Sequence, residues 1–157
     1  MTRSGYASSI QGVKDATVAL ASMVDKAIAR AIEAFENWDA ELAQECVAGD
    51  DQINHARWQI EEEVILLIAR QAPMARDLRD LIAALAISSE LERIGDYAKV
   101  VARTVLDSPE PPNIQAIGRI PELAALGRHQ VADCMEAFVE GDAAMARRVA
   151  LQDDEMD

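Results

Sequence analysis

The stretch Leu81-Ile-Ala-Ala-Leu-Ala-Ile-Ser-Ser-Glu90-Leu-Glu-Arg-Ile-Gly-Asp-Tyr-Ala98-Lys-Val-Val-Ala-Arg-Thr-Val105 decides the fold class. Ala84, Ile87, Leu91, Ile94, Ala98, Val101 and Val105 recur in it at alternating steps of three and four. That heptad-like spacing puts them on one stripe of a long helix, predicted from about Met74 to Leu106. Upstream, Pro73 closes a second periodic segment that carries Leu42, Cys46, Ile53, Ile60, Val64, Leu67 and Gln71 on one face. Gly49 lies inside that segment, which is nevertheless read as one helix, with Asp39 as its N-cap. Asn37-Trp38-Asp39 ends a first helix whose stripe is Ile10, Val13, Leu20, Val24, Ala27, Ala31 and Phe35. Ser8-Ser9-Ile10-Gln11 has capping-box spacing and predicts its start. Downstream, Pro109-Glu-Pro-Pro112 opens a linker over 109–118. Pro121 suits the first turn of a fourth helix, which reaches Glu140 before Gly141-Asp142 repeats the stop-then-cap signal.

Composition points the same way. The chain has 157 residues and 29 alanines, but only seven Gly, five Pro and six aromatic residues, which favours helices over an all-β fold. With 28 acidic against 15 basic residues the net charge is −13. A partner rich in phosphate, whether nucleic acid or an anionic membrane surface, needs a basic face, so neither is expected. Cys46 and Cys134 lack CxxC spacing, so neither a disulfide framework nor a zinc knuckle is indicated. No apolar run of transmembrane length and no signal-peptide h-region is found, and the expected location is cytoplasmic.

The chain also echoes itself. Shifted by 103 residues, Ala34-Phe35 falls on Ala137-Phe138, Asp39-Ala40 on Asp142-Ala143, and Asp50-Asp51 on Asp153-Asp154, among 11 identities over the 35 positions from 20 to 54. The expected organisation is a complete antiparallel three-helix unit over 8–108, the linker over 109–118, and an incomplete second copy over 119–157. The stripe of the fourth helix, with Leu123, Leu126, Val131 and Phe138, should then bury itself on the first unit or on a second copy of the chain.

The acids fall in a pattern. On the second helix Asp50, Asn54, Arg57 and Glu61 lie in one band beside the core stripe, and on the third Glu92 and Asp96 are an i, i+4 pair. They lie on a face that begins apolar, with Leu78, Leu81 and Leu85, and turns polar. Asn54 and Glu92 are each 19 residues from position 73, and Asp50 and Asp96 are each 23 away, so equal rise along a hairpin sets them level. Three carboxylates and an amide in one patch suit a hard cation such as Mg²⁺, Ca²⁺ or Mn²⁺, or iron. The plain alternative is a solvated acidic face, partly neutralised by Arg57. Glu-x-x-His motifs of a di-iron centre, a glycine-rich phosphate loop and a nucleophile–base pair are all absent from the sequence. His55 and His129 read as surface or interface residues rather than ligands, and Trp38 and Trp58 as packing residues.

Ala48-Gly-Asp-Asp-Gln-Ile-Asn54, Leu66-Leu-Ile-Ala-Arg-Gln-Ala-Pro73, Arg76-Asp-Leu-Arg79 and Glu90-Leu-Glu-Arg-Ile-Gly-Asp-Tyr-Ala98 together resemble the PhoU family, in order and over nearly the whole chain. The resemblance implies two pseudo-symmetric three-helix bundles, the second incomplete here. It implies a cytoplasmic, non-catalytic regulator of phosphate uptake and phosphate-starvation signalling. Such a protein contacts the ATPase subunit of a phosphate ABC transporter and a sensor histidine kinase, reaches the membrane only through partners, and forms a homodimer. Some family members bind metal ions through E/DxxxD motifs. By motif the positions carried over are Asp50, Asn54, Glu92 and Asp96, with Asp153 and Asp157 opening the second copy. Val100, where many relatives have Asn, and Arg57, where many have Glu, depart from the pattern. The competing function is a metal-binding carboxylate bundle, either a metal-dependent enzyme or a metal store. A helical scaffold with a merely solubilising acidic face is the third reading.

Overall fold

The computed structural model describes residues 3–111 and 118–152, which form five helices and no strand. They are α1 (Arg3–Asn37), α2 (Ala40–Gln71), α3 (Arg76–Asp107), α4 (Ile120–Glu140) and α5 (Ala143–Leu151). The fold class is the expected all-α bundle. Most of the 109–118 linker lies outside the described residues.

Each helix end follows from local chemistry. Asp39 caps α2 by accepting from the amides of Glu41 and Leu42 at 3.0 Å, and its own amide donates to the Ala34 carbonyl at 2.9 Å. The same turn recurs 103 residues on. Asp142 accepts from Ala144 and Met145 at 2.8 and 2.9 Å, and its amide donates to the Ala137 carbonyl at 2.9 Å. Both turns need a left-handed residue, supplied by Trp38 (φ 52°) in the first and Gly141 (φ 66°) in the second. Pro121 sits in the first turn of α4 as expected.

One end differs from expectation. The capping box predicted at Ser8 is helix interior, because α1 already runs from Arg3. Nothing upstream breaks the helix, and Gln11 donates to Asp15 at 2.9 Å instead of reaching back to a cap.

α2 continues unbroken through Gly49, and apart from its own turn of helix no heavy atom lies within 4 Å of where a Cβ would stand there. Gly49→Ala should therefore gain about 1 kcal/mol of stability from helix propensity alone, read as a higher urea midpoint at unchanged slope. A lower midpoint would show a close neighbour at this position.

α1, α2 and α3 pack pairwise into a three-helix bundle, α4 lies against α1, and α5 touches only α4. The main core joins Val13, Leu20, Val24, Ile53, Ile60, Val64, Leu81 and Leu91, with Met135 of α4 added. A second cluster is rich in alanine (Ala31, Ala34, Ala43, Ala98 and Ala102, with Phe35 and Val105), so the helices approach closely there. The hydroxyls of buried Thr17 and Ser88 are satisfied locally, Thr17 donating to Val13 O at 2.8 Å and Ser88 to Leu85 O at 3.0 Å.

The α3 seam is rotated from the expected stripe. Its buried positions are Leu81, Ala84, Ser88, Leu91, Gly95, Ala98, Ala102 and Val105. Ile87, Ile94 and Val101 flank the seam and are only partly buried, while Leu81, placed by its pattern on the outer face, is core. The physical reason is close packing. A Cβ on Gly95 would stand 3.2 Å from both Cδ1 and Cγ2 of Ile53 and 3.8 Å from Cγ2 of Val24, so the small residue faces the neighbouring helices.

As expected, α4 docks on the first bundle, with Val131 and Phe138 packed against the main core. Lys14 of α1 helps fix it, lying 3.0 Å from Asp80 of α3 and 5.8 Å from the centre of the Phe138 ring. Leu123, near the start of α4, stays exposed.

Candidate functional site

α2 and α3 carry the acidic band. Asp50 is 3% exposed, so its charge needs a partner. Oδ2 accepts from Lys99 Nζ of α3 at 2.5 Å and from Asn54 Nδ2, one turn along α2, at 2.9 Å. Oδ1 is buried with no hydrogen-bond partner. Glu92 is half-buried and Asp96 exposed. Arg57 pairs with Glu61 along its own helix at 2.8 Å.

The expected convergence of Asp50, Glu92 and Asp96 is therefore not formed. Among the described residues no three His, Cys, Asp or Glu side chains are gathered so as to hold a metal ion. Asp153 and Asp157 lie outside the described residues. Hard cations take about six to eight oxygen donors, whereas this site offers one buried carboxylate and one amide, with an ammonium already seated. Arg57 tempers Glu61 of the band, but it is not the residue that neutralises Asp50. That residue is Lys99, which sequence reasoning missed. Its position was available in the hairpin register: it is 26 residues from position 73 against 23 for Asp50. Three residues of helix are about 4.5 Å, within reach of a four-carbon arm.

A second feature lies between α3 and the α4–α5 pair. It is an open groove of about 1150 Å³ whose lining includes Ile32, Ile94, Val101, Leu123, Val131 and Val149. One wall is the flank of α3 left outside the rotated seam. At its edge Arg128 of α4 grips Asp25 of α1 with both ends, Nε to Oδ1 at 2.6 Å and a terminal nitrogen to Oδ2 at 2.9 Å. These two residues occupy equivalent positions of the 103-residue echo, so the ion pair joins the two helices that the echo sets in register. Hydrogen bonding to Arg128, more than its charge, holds the Asp25 carboxyl below the usual carboxylate range.

The remaining reactive side chains do not form a site. Partial desolvation pushes the thiols of Cys46 and Cys134 up, away from thiolate character. His55 and His129 are exposed, as expected. Trp38 is a packing residue, tilted against Phe35 at 5.6 Å and donating to Ser108 O at 3.3 Å. Trp58, expected to pack, is instead 61% exposed on α2.

The PhoU domain family model matches residues 17–105, which run from α1 to the end of α3. The phosphate-specific transport system accessory protein PhoU homolog of Aquifex aeolicus is 34% identical over 94% of this chain and 67% of its own length. The chain belongs to the PhoU family. The corresponding PhoU homolog of Clostridium acetobutylicum is 30% identical over the full chain and 72% of its own length. PhoU of Serratia marcescens is 33% identical over 94% of this chain and 61% of its own. The chain thus spans about two thirds of the length of these curated relatives. Solved PhoU structures superpose closely. That from Pseudomonas aeruginosa gives a TM-score of 0.86 at 31% identity, over 96% of this chain and 72% of that one. The phosphate transport system regulatory protein PhoU from Streptococcus pneumoniae gives 0.87 at 25% identity, over 96% and 70%. The blocks that carry the resemblance, including Glu90–Ala98, lie on α2 and α3 within the matched region.

Proposed function

We propose that this chain is a cytoplasmic, non-catalytic regulator of phosphate uptake and phosphate-starvation signalling. It acts by contact with the ATPase subunit of a phosphate ABC transporter and with a sensor histidine kinase. The observation that carries this is the match, in sequence and in backbone, to phosphate transport accessory proteins over nearly the whole chain. The surface supports a contact role: an apolar groove and exposed Trp58, Ile65 and Ile82 on α2 and α3 offer burial to a partner. No helix among the described residues is long and apolar enough to cross a membrane, which supports reaching the transporter through its ATPase subunit. The net charge of −13 supports protein rather than nucleic-acid partners. A homodimer belongs to the same proposal, with light scattering as its test.

The experiment is co-purification and titration with the ATPase subunit of the phosphate transporter encoded by the same organism. Binding is expected, weakening as salt rises because the acidic face contributes to attraction. No association at low salt would defeat the contact reading. The alternative, a metal-binding carboxylate bundle, has less support, because Asp50 turns inward to Lys99 while Asp96 faces solvent.

A further inference from the structure

We propose that Lys99 is the resident cation of the first bundle: its ammonium neutralises buried Asp50, and the acidic band of α2 and α3 therefore takes no metal ion at that carboxylate. This stands apart from the phosphate reading and does not depend on it.

A carboxylate that is 3% exposed has lost its hydration and needs a counter-charge or several hydrogen bonds in its place. Asp50 has both on one oxygen: Lys99 Nζ at 2.5 Å and Asn54 Nδ2 at 2.9 Å. Lys99 is itself 27% exposed, so its stem crosses from the surface and its head enters the helix interface. A metal ion at Oδ2 would stand beside an ammonium already in contact, and like charges at that separation repel. Oδ1 is also buried without a partner, and among the described residues no three His, Cys, Asp or Glu side chains gather to complete a coordination shell. Glu92 and Asp96 are left as half-buried and exposed acids of the outer face. A single ammonium satisfies one oxygen and leaves the other bare, so the pair is an under-satisfied one. Removing one partner should then harm the fold more than removing both.

The test uses thermal unfolding of the whole chain and calorimetry with Mn²⁺ as the probe. Lys99→Gln is expected to melt about 5–10 °C below the parent, since it strands a buried charge. Asp50→Asn/Lys99→Gln should melt above Lys99→Gln, and Lys99→Arg should stay near the parent. In calorimetry the parent should show no Mn²⁺ binding beyond that of Asp50→Asn, which corrects for diffuse attraction to an acidic protein. Two results overturn the proposal. One is a Lys99→Gln variant as stable as the parent. The other is Mn²⁺ binding by the parent that Asp50→Asn abolishes. If Lys99→Gln does not fold at all, a folded double variant together with a parent that binds Mn²⁺ no better than Asp50→Asn upholds the proposal, and Mn²⁺ binding that Asp50→Asn abolishes overturns it.

Discussion

Gly95→Val is expected to remove about 3 kcal/mol of stability, through overpacking against a core that has no slack. The position faces Ile53 from two sides at 3.2 Å, and those are the distances for a single methyl. A valine adds two more carbons to the same space, and the backbone of α3 must then move away from α2 and α1. Urea unfolding followed by circular dichroism measures the loss. Gly95→Ala is a sharper control. It gains helix propensity of about 1 kcal/mol and pushes Ile53 by only a few tenths of an ångström, so it should be close to neutral. Ile53→Ala combined with Gly95→Val should recover part of what the two changes cost separately, because they share one contact. A Gly95→Val variant as stable as the parent would mean that the helices do not cross closely here.

Leu81→Ala should cost about 3–4 kcal/mol and Leu78→Ala less than about 1 kcal/mol, although the two leucines are one turn apart. Leu81 is 1% exposed within the main core, and Leu78 is 36% exposed on the outer surface. This pair of variants tests where the α3 seam runs. If the stripe through Ile87, Ile94 and Val101 were the buried one, the contrast between Leu78 and Leu81 would shrink.

Much of the architecture was legible in the residues. Asp39, Pro73, Pro121 and Gly141-Asp142 each act through backbone chemistry that does not depend on tertiary context, and each helix break falls where they put it. The 103-residue echo was legible for the same reason: the Asp39 amide bond to the Ala34 carbonyl and the two Asp39 cap bonds recur at Asp142. The seam of α3 was not. Apolar periodicity weights Ile87, Ile94 and Val101 above Ser88, Gly95 and Ala102, whereas close helix approach selects the small residues. The start of α1 was misplaced because capping-box spacing at Ser8 is also compatible with helix interior. At the site, the register put Asp50 at the right height, but it matched acid with acid. Burial decides the partner: a carboxylate turned into the core takes the nearest cation, and Lys99 reaches it from a turn away.

Membership of the PhoU family follows from the sequence and the backbone together, while the regulatory role is what those features are proposed to serve. The most direct measurement is transcription from a phosphate-starvation promoter, with phosphate uptake, in phosphate-replete cells that lack this chain. The account predicts that starvation genes are expressed despite ample phosphate, and that re-expressing the protein, with whatever sequence its gene encodes beyond this chain, restores repression. Normal repression together with unchanged phosphate uptake in the deletion strain would contradict it.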